Sequence, residues 1–173
     1  SRGLGDVYKR QDILDKEAKK LGIELVAIRS NFTDTVFSEN TEAEFTRFYD
    51  KLRQTDTLPV SSQPSPAEFL ELFEDAKEKQ EEVVVITISS KLSGTYNGAM
   101  LAKDMAEYDN IYVVDSLQAS LSERLLVEYA VKLRDAGMGA KELVRKLEQD
   151  RERVILTGVP VSYTHLTLPT ICS

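Results

Sequence analysis

Apolar runs alternate with amphipathic stretches along most of the chain. The run at 82–88 (EVVVITI) is rich in β-branched residues and lacks polar alternation, which is typical of a strand covered on both faces. Three further runs predict strands at 23–28 (IELVAI), 110–115 (NIYVVD) and 153–159 (RVILTGV). Apolar spacing of three and four predicts helices at 12–21, 41–52, 94–107, 119–136 and 140–150, and one more that begins at Pro66.

Strands that alternate with helices of this length indicate βαβ units and a parallel sheet. The 173 residues amount to about one domain, since domains usually have roughly 100–200 residues. We therefore predict an α/β fold with three layers, in which helices flank a parallel sheet through right-handed crossovers.

Two stretches at the ends do not fit this pattern. Residues 1–11 have no clean helical or strand period, and residues 161–173 are rich in Thr and contain Pro169. Both resemble translated sequence of non-native origin, which is left out of fold reasoning, although frayed native tails are the alternative. The predicted α/β lobe thus spans residues 12–160, incomplete at both ends.

Two helix starts carry capping patterns. Thr41 is followed by Glu44 three positions later, and Ser65 is followed by Pro66 and then Glu68. Phe45, Phe48 and Tyr49 have helical spacing, which favours a place in the core over a ligand cage, and helix 119–136 presents an apolar stripe of Leu121, Leu125, Leu126, Tyr129 and Leu133.

Composition excludes several kinds of chemistry. The net charge of −7 disfavours nucleic acid and anionic membrane as partners, and no apolar run approaches the ~18 residues of a transmembrane segment. The single Cys (Cys172) favours a cytoplasmic location, and it lies with the only His (His165) in residues 161–173. Residues 12–160 therefore offer no Ser–His or Cys–His pair and no imidazole or thiolate metal site, so we expect neither an enzyme nor a metal centre.

Three polar turns lie at or near predicted strand ends, where open α/β sheets bind ligands: 61–65, 89–95 and 115–116. The second turn leads into a helix, whose N-terminus favours an anion. Ser93 would add a hydroxyl and Gly94 would allow close approach, but Ser93 and Thr95 could equally serve as helix caps. Asp115 is expected to orient a neighbouring turn.

Three motifs, taken in order, resemble the DegV family of bacterial fatty-acid-binding proteins. They are LPVSSQPSPAEF (58–69), ISSKLSGTYNGA (88–99) and VVDSLQAS (113–120). The middle motif is the most specific, and the similarity extends from about Leu14 to Val159.

The resemblance implies a non-enzymatic carrier without a cofactor, which holds a long-chain fatty acid by its carboxylate. Such a carrier presents the acid to a separate fatty acid kinase for phospholipid synthesis. By motif, the carboxylate contacts are Ser93, Ser61, Ser62, Gly94 and Thr95.

The resemblance also implies two missing parts. The family opens with a strand that ends in an Asp-Ser turn, which we expect to be absent before Asp12, and its second lobe should begin after Pro160. The chain is thus expected to be a truncated first lobe with weak or no binding by itself. The residues that select the acyl chain and the kinase would lie in the second lobe.

Alternative functions stay open at this point. A flavodoxin-like domain could cradle phosphate or a nucleotide at the Ser-rich turn, although neither a G-x-G-x-x-G nor a Walker pattern is present. A serine hydrolase with Ser93 as nucleophile would lack both a His and a G-x-S-x-G motif in residues 12–160. A fragment without activity of its own is the third alternative.

Overall fold

The computed structural model describes residues 2–7 and 13–154. Strands and helices alternate along much of the chain, as the sequence predicts. In chain order they are β1 (Arg2–Val7), α1 (Asp15–Leu21), β2 (Ile23–Ala27), β3 (Arg29–Asn31), β4 (Val36–Phe37), α2 (Glu42–Gln54), β5 (Val60–Ser62), α3 (Pro66–Glu78), β6 (Val83–Thr87), α4 (Thr95–Ala106), β7 (Ile111–Asp115), α5 (Leu121–Asp135) and α6 (Ala140–Asp150), followed by a 3-10 turn at Arg151–Arg153.

The main sheet contains four parallel strands in the order β2-β1-β6-β7. Side chains alternate across β6, so Val84 and Ile86 pack in the layer of α1, α5 and α6, whereas Val83 and Val85 pack against α3 and α4. Phe69 of α3 is fully buried in that second layer. Helices therefore cover both faces of the sheet, which confirms the predicted three-layer α/β fold.

The first residues of the chain correct the sequence analysis. We predicted no strand within residues 1–11 and none before Asp12, yet residues 2–7 form β1, the strand between β2 and β6. Strand propensity does not predict β1, because the strand contains Gly3 and Gly5 and glycine is depleted in strands. Pairing with strands on both sides determines the conformation instead.

Near the other end, most of the predicted strand 153–159 lies outside the described residues. Of its residues, Arg153 belongs to the 3-10 turn and Val154 is the last one described. His165 and Cys172 also lie outside the described residues.

A second, antiparallel sheet with the order β4-β3-β5 was not predicted. Its strands have two or three residues each, too few to show a period. Ser61 and Ser62, which we predicted in a turn, instead lie in β5, where Ser61 pairs with Ser30 and Ser62 with Arg29. The turn itself is confined to residues 63–65.

The helix starts follow their capping signals. The Thr41 hydroxyl accepts a hydrogen bond from the Glu44 amide at 3.2 Å, as predicted. The Ser65 amide donates to the Glu68 carboxylate at 2.9 Å, and the Ser65 hydroxyl donates to the same carboxylate at 3.0 Å. Ser65 is therefore a helix cap, as expected.

The buried faces predicted for α2, which is rich in aromatic residues, and for α5, which is rich in leucine, agree with the structure to different extents. Phe45 is buried and half-buried Phe48 packs edge-on against Phe37, as predicted, but Tyr49 is 39% exposed, so its predicted place in the core is wrong. Leu121 and Leu125 of α5, however, are 63% and 57% exposed. The predicted stripe is wrong at these two positions, because α5 turns a different face inward, made up of Ser122, Glu123, Leu126, Val127, Ala130 and Val131.

Candidate functional site

The turn between β6 and α4 brings a hydroxyl to the start of a helix. The Ser93 Oγ accepts a hydrogen bond from the Thr95 amide at 3.3 Å and lies 2.8 Å from the Thr95 hydroxyl. The Ser89 carbonyl accepts from the amides of Leu92 and Ser93 and so tightens the turn. The N-cap of α4 is Gly94, so Ser93 lies one residue before the cap and binds the first amide of the helix, and its half-buried side chain also reaches a cleft.

This cleft has a volume of about 250 Å³ and lies between the start of α4 and the segment that contains β5. Ser93, Gly94 and Leu92 line it from the start of α4, and Ser61 and Gln63 line it from β5 and the turn that follows. Ile28, at the carboxyl end of β2, completes the lining. The cleft thus lies at the carboxyl edge of the parallel sheet, where α/β folds bind ligands.

Glycine at position 94 has a steric role, because a side chain there would collide with the Gln63 carboxamide. Its φ of −78° is accessible to any residue, so backbone freedom is not the reason for glycine here. A Cβ atom at this position would lie 2.7 Å from Oε1 and 3.0 Å from Nε2 of Gln63. The missing side chain lets the Gln63 carboxamide lie directly against the start of α4.

Gln63 is a lining residue that the sequence analysis missed. It stands inside the motif at 58–69, but no spacing rule distinguishes it from its polar neighbours. Among residues 13–154, no hydrogen-bond partner of its carboxamide is found, and its side chain is exposed. The Gln63 amide group is therefore available to a ligand.

The five residues that the resemblance pointed to do not all face the cleft. Ser61, Ser93 and Gly94 line it. The Ser62 hydroxyl accepts a hydrogen bond from Asn31 Nδ2 at 3.0 Å, on the opposite face of β5 from Ser61. Thr95 is fully buried beneath Ser93, so its hydroxyl supports Ser93 from below.

Asp115 orients the turn that carries Ser93, as predicted. Its Oδ1 accepts a hydrogen bond from the Ser90 amide at 3.1 Å and another from the Leu117 amide at 3.0 Å. One carboxylate therefore joins the turn after β6 to the turn after β7.

An ion pair anchors the opposite wall of the cleft. Arg29 of β3 donates two hydrogen bonds to Glu68 of α3, one of them at 3.2 Å, and Ser65 donates to the same carboxylate. Partial burial pushes the pKa of Glu68 upward, but the hydrogen bonds from Ser65 and Arg29 outweigh it and leave that pKa below its ordinary value. The segment that carries Ser61 and Gln63 is thus attached to both β3 and α3.

The cleft offers neutral hydrogen-bond donors. None of its six lining residues is charged, and the first amides of α4 add donors and a partial positive charge. The hydroxyl next to Ser93 belongs to Thr95, which is not a base, so this geometry does not activate Ser93 as a nucleophile. Such a set of donors suits an anionic group with one charge.

Within the described residues, no cluster of three or more His, Cys, Asp or Glu side chains has the proximity to hold a metal ion. In the same part of the chain, no helix has both the length and the apolar character needed to cross a membrane.

Comparisons with known proteins place this geometry in a family. A family model described as "Uncharacterised protein, DegV family" matches residues 11–168. A DegV domain-containing protein of Halalkalibacterium halodurans is 34% identical over 152 residues, which are 87% of this chain and 54% of that protein. The chain spans about half the length of the curated relatives it matches.

Solved structures show the same fold. A Thermotoga maritima protein, described as revealing a fatty acid binding function, superposes with a TM-score of 0.76 at 32% identity, over 87% of this chain and 55% of that one. The Streptococcus pneumoniae Fatty Acid Kinase (Fak) B3 protein, loaded with linoleic acid, has a TM-score of 0.70 at 28% identity, over 87% and 54%. With the family match covering most of its length, this chain belongs to the DegV family.

Proposed function

We propose that this chain binds a fatty acid by its carboxylate and that the cleft at the start of α4 is the carboxylate site. The observation that carries the proposal is the position of two hydroxyls, a carboxamide and a helix N-terminus around one cleft without a charged lining residue. Fatty-acid binding by the Thermotoga maritima and Streptococcus pneumoniae relatives supports the choice of ligand.

Each lining group has a distinct part in this proposal. The Ser93 oxygen accepts from the Thr95 amide and lies 2.8 Å from the Thr95 hydroxyl, where either oxygen can donate. In this proposal the Thr95 hydroxyl donates to Ser93 when the ligand is bound, which leaves the Ser93 proton for the carboxylate. Ser61 and Gln63 donate from the opposite wall, and the Gly94 amide donates from the helix start. Hydrogen bonds to a charged group contribute about 1.5–3 kcal/mol each, so a carboxylate gains more here than a neutral head group.

The acyl chain is expected to contribute little affinity in this chain alone. The cleft's 250 Å³ is below the roughly 300–1,000 Å³ of pockets that enclose a small organic ligand. Each methylene group removed from water contributes about 0.8 kcal/mol, so an acyl chain left in solvent loses most of its binding free energy. We therefore propose weak binding, near a Kd of about 1 mM, which corresponds to about −4 kcal/mol.

The wider role that we propose is transport and not catalysis. The bound acid would be presented to a separate kinase, which transfers a phosphoryl group to the carboxylate for phospholipid synthesis. The description of the Streptococcus pneumoniae relative as a fatty acid kinase protein loaded with linoleic acid supports this role. A cytoplasmic location is part of the same proposal, since a cytoplasmic kinase would use cytoplasmic ATP.

The carboxylate site is tested by NMR titration with octanoate, whose short chain suits a small cleft. We expect amide shifts at Ser61, Ser93 and Gly94, and about tenfold weaker binding by the Ser93→Ala variant. Ser90→Ala, in the same turn but with an exposed side chain, is the matched control and should bind normally.

Two further ligands distinguish the head group. Octanol has the same chain without the charge and should bind at least tenfold more weakly than octanoate. Inorganic phosphate should leave the three amides unshifted. Equal binding of octanoate and octanol would contradict the carboxylate site, and saturable binding of phosphate at Ser93 would favour the phosphate-binding alternative.

A further inference from the structure

The turn at 89–95, called the carboxylate turn below, is joined to a distant part of the chain through one buried side chain. We infer that Gln118 is a positioning residue, which couples the turn at 89–95 to the segment that leaves α6. This inference rests on the proposed function, because it assigns to Gln118 the alignment of the Ser93 hydroxyl. Neither Gln118 nor the segment at 151–154 lines the cleft.

Gln118 forms hydrogen bonds in two directions. Its side chain is buried, and Nε2 donates to the carbonyls of Arg151 and Val154, both at 2.9 Å. Its own carbonyl accepts from the Ser89 amide at 2.8 Å, at the start of the carboxylate turn. Both amide protons of Gln118 are therefore used to hold 151–154, while its backbone holds Ser89.

A second connection runs in parallel with the first. Arg151 Nη1 donates to the Asp115 carbonyl at 2.6 Å. The Asp115 carboxylate in turn accepts from the Ser90 amide. Both connections from 151–154 to the carboxylate turn thus pass through residues 115–118, and one ends at Ser89 and the other at Ser90.

The connecting segment holds a backbone shape that it would not adopt unaided. Leu117 and Ser120 have φ values of 55° and 54°, in the left-handed region that side-chain-bearing residues rarely adopt. The fully buried Ser116 hydroxyl helps to maintain this shape, since it accepts from the Gln118 amide at 3.0 Å and donates to the Gln118 carbonyl at 3.2 Å. When the surroundings no longer enforce such a conformation, it relaxes toward the common regions.

Through these contacts Gln118 affects the cleft although it does not line it. Loss of its two side-chain donors leaves the carbonyls at 151 and 154 without this partner and frees the segment at 115–120 to relax. Ser89 and Ser90 then lose fixed acceptors, and Ser93, whose amide donates to the Ser89 carbonyl, moves with them. The expected consequence is a poorer alignment of the Ser93 hydroxyl with a bound carboxylate.

The first test measures the coupling without any ligand. Gln118→Leu keeps the size of the side chain but removes both donors. In hydrogen-exchange NMR we expect the amides of Ser89 and Ser90 to exchange at least tenfold faster in this variant. Val131→Ala, a core truncation in the C-terminal half of α5, is the control for a general loss of stability. The two variants are compared at temperatures that give equal unfolded populations.

The second test measures the effect on the site. Gln118→Leu should weaken octanoate binding about fivefold and leave octanol binding unchanged, because only the charged head group needs an aligned Ser93. Val131→Ala should not alter the affinity for one of the two ligands more than for the other. A purely structural role for Gln118 would weaken both ligands equally, and that result would overturn the inference.

The outcomes separate this inference from the proposed function. If the unsubstituted chain shows no preference for octanoate, the proposed function fails, whereas faster exchange at Ser89 and Ser90 would still show the coupling. Unchanged exchange at both amides in Gln118→Leu overturns the coupling itself. Should that variant not fold, Arg151→Met removes only the bond to the Asp115 carbonyl, and it must speed the exchange of Ser90 or the coupling is rejected.

Discussion

The two walls of the cleft are held in place by different kinds of interaction. The wall that carries Ser93 is attached to the main sheet by a hydrogen bond from the Ser90 amide to Asp115, which also accepts from the Leu117 amide in the next turn. The wall that carries Ser61 is attached through the pair of Arg29 and Glu68, whose side chains are 37% and 32% exposed. The stability of the first wall should therefore depend mainly on whether its hydrogen-bond partners are present. The stability of the second wall should depend on pH and salt as well.

Substitution of Asp115 is expected to have the largest effect on this contrast. Asp115→Ala removes the acceptor of the Ser90 and Leu117 amides, and hydrogen bonds to charged groups contribute about 1.5–3 kcal/mol each. Because the bond from Ser90 is exposed to solvent and contributes less, we expect the free energy of unfolding, measured by urea denaturation, to fall by about 2–3 kcal/mol. Asp115→Asn keeps one oxygen as acceptor and should lose about half as much. A loss as large as that of the alanine variant would show that the charge, and not the acceptor, holds the turn.

Substitution of Glu68 should have a smaller and pH-dependent effect. Glu68→Gln weakens a half-exposed ion pair and a helix cap, so the unfolding free energy should fall by about 1 kcal/mol at pH 7. Because folding lowers the pKa of Glu68, this contribution is complete above the ordinary pKa of a glutamate in the unfolded chain and is lost as the pH falls through the lower folded pKa.

The measurement that checks this expectation is a set of urea denaturation curves for both proteins between pH 7 and pH 2. The difference between them should shrink toward zero as the medium becomes acidic, and added salt should reduce it at pH 7. A difference that stays constant across this range would mean that the Glu68 carboxylate does not stabilise its wall by charge.

The smallest effect on stability is expected at the point where the walls meet. Gly94→Ala places a methyl group 2.7 Å from Oε1 of Gln63, but Gln63 is a flexible, exposed side chain that can move away. Alanine also lowers the entropy of the unfolded chain, so the melting temperature should change by the equivalent of less than about 0.5 kcal/mol. Octanoate binding, in contrast, should be lost, because the displaced carboxamide and the methyl group occupy the cleft. Unaltered octanoate binding would place the carboxylate elsewhere.

Strands β2, β6 and β7 of the main sheet were predictable because their signals are local. The β-branched run at 82–88 and the helices on either side of it follow periodicities that any short window reveals. The sheet β4-β3-β5 was not predictable, since its strands have only two or three residues and β3 pairs with β5 about 30 residues later in the chain. The same reason applies to β1, whose glycines conceal a strand that its neighbours determine.

The candidate site also contains residues that local sequence predicts and residues that it does not. Ser93 and Gly94 could be predicted, because a strand, a polar turn and a helix start follow one another in the sequence. Gln63 could not, because its relevance depends on the absence of a Cβ atom at Gly94, which only the folded arrangement brings next to it. The exposed Leu121 and Leu125 of α5 show a similar limit, since an apolar stripe does not tell which of its members face the interior.

The position of β1 in the sheet has a consequence for biosynthesis. Strand β2 lies at the edge of the described sheet and pairs with β1, and β1 reaches its other partner, β6, only about 80 residues later in the chain. At a translation rate of about 5–20 residues per second, β1 leaves the ribosome several seconds before the strand that completes its pairing. During that interval one edge of β1 is unpaired, so β1 is the segment for which protection by a chaperone would matter most in the nascent chain.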